Sequence, residues 1–229
     1  MKLLQQYIRE VLDQENLEPT QNIQPQTIIY CDMDGVLVDF EVGAIELMNK
    51  LLDGNSVKWI DPTYWKYAKD LNNLKEEMGK KWRLSSGSDL GLKPVRRFMF
   101  SMIKQSPGDY FGSLPALEDG VGDLWPYLNS TNHKVVLLTA GIPGNPDAPS
   151  SEDGKRMWAM SNLNPKPSEL ILKPAKQKSE SASMEDVPNI LIDDKVATID
   201  SWNAMGGIGI LHVPGNSAGT IAKLKDLGL

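Results

Sequence analysis

The chain has one cysteine, Cys31, and two histidines, His133 and His212, among its 229 residues. One thiol excludes an intramolecular disulfide framework, and so few soft ligands leave a Cys/His zinc cluster without donors. A metal bound here would be held by oxygen. No run approaches the roughly eighteen consecutive apolar residues of a membrane span, so neither a spanning segment nor a membrane partner is expected. Positive charge is also scarce, with 24 Lys and Arg against 30 Asp and Glu and a formal charge of -6. That balance argues against a broad footprint on duplex nucleic acid or an anionic bilayer, but leaves room for a small anion neutralised locally. The expected location is cytoplasmic.

What is present suits a packed core: 41% of residues are hydrophobic and 24% charged, ordinary globular usage. Met1 to Leu12 sets Leu3, Leu4, Tyr7, Ile8, Val11 and Leu12 on one stripe with Gln5, Gln6, Arg9 and Glu10 opposite, an amphipathic helix and not an export signal. A polar stretch with Pro19 and Pro25 follows as a linker, so residues 1–25 read as an appendage.

From Thr27 short apolar runs end in polar residues. Thr27–Asp32, Lys134–Thr139, Glu169–Lys173, Asn189–Asp193 and Gly207–Val213 read as buried strands, separated by helical stretches such as Gly154–Leu163 and Val196–Met205. That alternation predicts an α/β fold, a parallel five-stranded sheet with helices on both faces. About a hundred residues separate the first two strands, far more than a crossover needs, so a unit is inserted there. The core then comprises 26–42 and 112–229, and a helical insertion 43–111. The insertion holds nine of the sixteen aromatic residues, Trp59, Tyr64, Trp65, Tyr67, Trp82, Phe98, Phe100, Tyr110 and Phe111, which either fill a small helical core or stack on a planar substrate group.

The chemistry sits at strand ends. The first strand closes on Asp32-Met33-Asp34-Gly35, the second on Thr139-Ala140-Gly141, the fourth on Asp193-Asp194. In an open parallel sheet the carboxyl ends of strands meet at one crevice. Carboxylates gathered there repel unless a hard divalent cation neutralises them, and Mg²⁺ suits an all-oxygen set. A hydroxyl and free backbone N–H groups after Thr139 could cradle a phosphate. A helix opening at Gly154-Lys155-Arg156-Met157-Trp158 would bring a cation.

This order of pieces, from Thr27 to roughly Pro214, resembles the haloacid dehalogenase-like (HAD) phosphohydrolase superfamily. The resemblance implies a Rossmann-like sheet ordered 5-4-1-2-3 in chain numbering, with a cap inserted after the first strand. Within it, Asp32 to Phe40, Tyr110 to Pro115, Gly154 to Trp158 and Leu191 to Lys195 are most similar to the 5'(3')-deoxyribonucleotidase group. Two segments depart from that group: Thr139-Ala140-Gly141 stands where it has Thr-Ser-Pro, and Lys173 to Lys178 replaces its Thr-Arg-Asp-Lys-Thr.

The resemblance implies Asp32 as nucleophile, Asp34 as general acid and base, and Mg²⁺ held by Asp32, Asp34 through its carbonyl, Asp193 and Asp194. Asp194 is favoured as the direct ligand, although the order of that pair could be reversed. Thr139 and Ala140 would bind the phosphoryl group, and Phe40, just beyond the turn, either floors the sugar or base or simply packs. Lys155 is the expected phosphate clamp, with Lys173, Lys176 and Lys178 as alternatives. The implied protein is a Mg²⁺-dependent phosphomonoesterase forming an aspartyl-phosphate, with a nucleoside monophosphate as substrate and homodimer formation left open. The competing readings are a sugar-phosphate phosphatase or phosphotransferase and a non-catalytic binding or scaffold protein.

Overall fold

The computed structural model describes residues 27–40, 42–44, 46–47, 100–184 and 187–229. The amphipathic segment 1–12, the linker, and Trp59, Tyr64, Trp65, Tyr67, Trp82 and Phe98 of the insertion lie outside the described residues.

Five parallel strands form one sheet: β1 (Ile28–Cys31), β2 (Lys134–Thr139), β3 (Leu170–Leu172), β4 (Ile190–Asp193) and β5 (Ile208–Leu211). Their spatial order is β3-β2-β1-β4-β5, the expected order read from its other edge. The five apolar runs thus became strands at the expected places, β2 over its full expected length and the others shorter by one to three residues. A two-residue antiparallel ladder, Ser183–Met184 with Val187–Pro188, precedes β4.

Side chains that alternate along each strand fill two separate cores. Ile29, Cys31, Val135, Leu137, Ile190 and Ile192 enter the larger one, while Ile28, Tyr30, Val136, Leu138 and Leu191 enter the smaller. The larger face is covered by α1 (Pro107–Gly112), α2 (Trp125–Ser130), α3 (Ser151–Asn162) and α5 (Ser217–Asp226), through Phe111, Trp125, Trp158 and Leu224. The smaller is covered by α4 (Val196–Ala204), whose Trp202 meets Tyr30 edge-on at 5.5 Å and donates to the Asn189 carbonyl at 3.0 Å. Each fully buried large apolar side chain contributes about 1.5–3 kcal/mol, which is why both faces are closed. No helix among the described residues is long and apolar enough to cross a membrane.

Two helix details position the site. α3 begins at Ser151 and not at Gly154: Ser150 accepts from the Asp153 amide at 3.1 Å while Asp153 accepts from the Ser150 amide at 3.0 Å, a reciprocal cap that satisfies two orphan donors. Gly154 then lets α3 lie directly on α1, because a Cβ there would stand 2.2 Å from the Gly108 carbonyl oxygen. α1 spans the boundary drawn at 111/112, so Tyr110 and Phe111 at the return of the insertion pack into the core.

Candidate active site

The sheet reverses its winding at β1: the chain builds outward through β2 and β3 on one side, and through β4 and β5 on the other. The crevice at such a switch point lies above the carboxyl ends of the central strands. Asp32 follows β1 there, held by its amide on the Ile192 carbonyl at 2.9 Å, and Asp193 ends β4. After Asp32 the backbone folds into a compact turn in which the amides of Val36, Leu37 and Val38 all bond the Met33 carbonyl. Gly35 carries φ 78° and a Cβ there would stand 2.5 Å from Asp194 Oδ2, so a side chain is refused twice, by conformation and by space.

Lys178 is the residue that organises the flank between β1 and β4. Its ammonium lies 2.9 Å from Asp32 Oδ2 and 2.8 Å from Asp193 Oδ2, and all three side chains are at most 2% exposed. Burial alone would raise Asp32, but the ammonium groups of Lys178, Lys155 and Lys195 overcome it and hold the carboxyl lowered to about 2. Burial, and then the charge of Asp32, push its neighbour Asp193 up to about 6 against the pull of Lys178. The other oxygens of the two carboxylates are engaged too: Asp32 Oδ1 accepts from the Met33 amide at 2.8 Å and Asp193 Oδ1 from the Lys195 amide at 2.9 Å.

Lys155 organises the opposite flank, between β1 and β2. It projects from α3, 1% exposed, and donates to Asp34 Oδ2 and Thr139 Oγ1, both at 2.8 Å. The Phe111 ring lies beneath its ammonium at 4.5 Å from the centroid. Of the alternative lysines, Lys173 is spent on Glu180 at 3.4 Å and Ser181 at 3.0 Å, and Lys176 is exposed. Two buried lysines, and not one, therefore stand at the crevice. The sequence singled out Lys155 by its spacing to Trp158; Lys178 sits in a short 3₁₀ segment, Ala175–Ser181, with no periodicity to reveal which lysine turns inward.

The expectation that carboxylate repulsion by itself demands a metal needs revision, because Lys178 already separates Asp32 from Asp193. The donor set still fits a cation on another ground. Ligand oxygens of Asp32, Asp193 and Asp194 lie within 4.8 Å of one another. Asp194 Oδ1 and Asp34 Oδ1 are buried and accept no hydrogen bond among the described residues, the nearest cation to the former being Lys195 Nζ at 3.5 Å. Buried anionic oxygens left in that state are costly unless a positive charge completes them.

Thr139 is fully buried at the end of β2, Ala140 is partly exposed beyond it, and Phe40 is half-buried with ring centroids of Tyr110 at 5.5 Å, Phe111 at 6.3 Å and Phe100 at 6.4 Å. Cys31 is buried and burial pushes its thiol up, as a packing residue and not a nucleophile.

No protein-family model matches the sequence, and no curated protein matches it. Among solved structures the chain is similar to a hydrolase from Streptococcus pneumoniae TIGR4, 11% identical with 89% of this chain and 98% of that one covered, TM-score 0.49. It is similar also to a haloacid dehalogenase-like hydrolase from Xanthomonas campestris, 16% identical over 91% and 94% of the two chains, TM-score 0.43. A haloacid dehalogenase-like family protein from Streptococcus pneumoniae is 14% identical over 81% and 84%, TM-score 0.44.

Proposed function

We propose that this chain is a Mg²⁺-dependent phosphomonoesterase of the haloacid dehalogenase-like kind, acting on nucleoside monophosphates through an aspartyl-phosphate. The observation that carries the reading is the pairing of Asp32 with Lys178 beside the Asp34–Lys155–Thr139 group at one crevice. Lys178 keeps Asp32 ionised and fixed, which a carboxylate nucleophile requires. Asp32 attacks phosphorus and the ester P–O bond breaks, while Asp34, having taken up a proton from solvent as Lys155 turns from it to the phosphoryl oxygens, gives that proton to the leaving oxygen. Asp34 then takes a proton from water as that water attacks the aspartyl-phosphate, releasing phosphate and regenerating Asp32. Lys155 and the Thr139 hydroxyl, already bonded to each other, receive the phosphoryl oxygens as Lys155 exchanges contacts.

Asp32, Asp193, Asp194 and the Asp34 carbonyl would hold the Mg²⁺, which when bound offsets charge between nucleophile and substrate. Asp194 suits direct ligation because its Oδ1 accepts no hydrogen bond and faces the Lys195 ammonium only at 3.5 Å, whereas both oxygens of Asp193 are committed to Lys178 and the Lys195 amide. Phe40, within its cluster of rings, is the residue we assign to the sugar or base.

Phosphate release over a panel of deoxyribonucleoside monophosphates, sugar phosphates and p-nitrophenyl phosphate, with Mg²⁺ and with chelator, tests the reading. Asp32→Asn, nearly isosteric, should lower turnover by about a thousandfold or more. Turnover within tenfold of the native protein sinks the nucleophile assignment. Sugar phosphates outrunning every nucleotide would keep the chemistry and replace the substrate class.

A further inference from the structure

The loop after β2 is held from the α3 side by a side chain that no motif singles out. Ser151, 5% exposed at the first turn of α3, donates its hydroxyl proton to the Ile142 carbonyl at 2.7 Å and accepts from the Ile142 amide at 2.9 Å. One hydroxyl thereby satisfies both backbone groups of one loop residue. Gly141, just before it, is seated so tightly that a Cβ would stand 2.8 Å from Leu172 Cδ2 and 3.1 Å from Ser151 Cβ. Four residues after Ser151, on the same face of the helix, Lys155 holds Thr139 through its hydroxyl at 2.8 Å. α3 therefore grips the loop at both ends, Thr139 by Lys155 and Ile142 by Ser151, and brackets Ala140 and Gly141 between the two grips.

The grip is mounted on a fixed platform. The Ser150–Asp153 cap sets the first turn of α3, and the Gly108–Gly154 contact sets its place on α1. Backbone donors aimed at an anion work only when their direction is fixed before the anion arrives.

We propose that Ser151 is a positioning residue for phosphate recognition: by clamping Ile142 it holds the amides of Ala140 and Gly141 in place to receive phosphoryl oxygens. This rests on the phosphomonoesterase reading above. It also accounts for the absence of a second hydroxyl after Thr139, since at Ala140-Gly141 recognition falls to the backbone, and a backbone cradle needs an external clamp.

The test compares Ser151→Ala with Ser151→Thr, which keeps the hydroxyl, and with Ser151→Cys, which keeps the volume with a weaker donor. For Ser151→Ala, KM for p-nitrophenyl phosphate and the inhibition constant of inorganic phosphate should both rise about tenfold, with kcat within about threefold. Ser151→Thr should return both to within about threefold of the native values, with Ser151→Cys between. A lower melting temperature with KM and phosphate inhibition unchanged overturns the proposal, as does a loss confined to kcat. If Ser151→Ala does not fold, the order of Thr and Cys decides: equal KM values for those two variants overturn it. A native protein silent on every phosphomonoester would instead remove the phosphatase reading. Hydrogen exchange at the Ile142 amide then decides the clamp by itself, faster exchange in Ser151→Ala sustaining it and an unchanged rate overturning it.

Discussion

The two flanks of β1 hold the same kinds of group, carboxylates and one buried lysine, but put them to different use. Between β1 and β4, Asp32, Asp193 and Lys178 are all sealed from water, and both carboxylates have both oxygens engaged. Between β1 and β2, Lys155 is equally buried, but its partner Asp34 is 17% exposed and its buried Oδ1 accepts no hydrogen bond among the described residues. The first flank holds charge still, as the proposed nucleophile would need. The second leaves a carboxyl side chain partly exposed, as the proposed proton exchange with a leaving group and a water would need. A buried ion pair is poor evidence for stability, because desolvation offsets most of the attraction, so this division reads more naturally as function than as scaffolding.

Removing each lysine breaks the comparison most sharply. Lys178→Met leaves two facing buried carboxylates without a cation, and should cost about 3–5 kcal/mol of unfolding free energy. Lys155→Met leaves the partly exposed Asp34 and the buried Thr139 hydroxyl without their donor, and should cost about 1–2 kcal/mol while lowering activity as severely. Urea unfolding of both variants measures the contrast. Adding Asp193→Asn to Lys178→Met should recover part of the lost stability and none of the turnover. Equal costs for the two lysines would show that the flanks are not energetically distinct.

How much of this was legible follows from what each feature depends on. The five strands, their parallel pairing and the convergence of Asp32, Thr139 and Asp193 were readable, because apolar runs ended by polar residues depend on local pattern alone. The start of α3 is legible too: Ser150 with an acid three residues on is a capping signature that opens the helix ahead of Gly154. Lys178 was not readable as the partner of Asp32. Which of several lysines in a segment without periodicity turns inward is decided by the path of the chain between β3 and β4, a tertiary matter. Ser151 escaped for the same reason, since its partner is a backbone nine residues away.

A smaller effect comes from acidity. Asp193, raised to about 6, contributes stability that is fully present below its ordinary value and is lost as pH rises through about 6. Asp32, lowered to about 2, contributes stability present above its ordinary value and lost as pH falls toward about 2. Held free of metal by chelator, the native protein should lose melting temperature relative to Asp193→Asn between pH 5 and pH 7.5, the comparison cancelling His212, whose burial lowers its pKa and tilts both curves the other way. A native melting temperature that rises steadily from pH 5 to 7.5 while Asp193→Asn leaves the slope unaltered would remove the sealed pair as its cause.

The smallest expected effect sharpens the second flank. Phe111 is 1% exposed, and its ring faces the Lys155 ammonium at 4.5 Å, so it both packs the core and offers a negative π face to a charge. Truncation confuses those roles, because Phe111→Leu would also leave a cavity. Site-specific replacement by difluorophenylalanine keeps size and apolarity while weakening the ring quadrupole, so only the attraction for Lys155 changes. A desolvated contact of this kind is worth about 0.5–2 kcal/mol, of which fluorination removes a part. The expected result is a fall of about twofold to fivefold in kcat/KM with the melting temperature moved by no more than about a degree. Unchanged kcat/KM would make Phe111 packing alone, and leave Thr139 and Asp34 as the groups that aim Lys155.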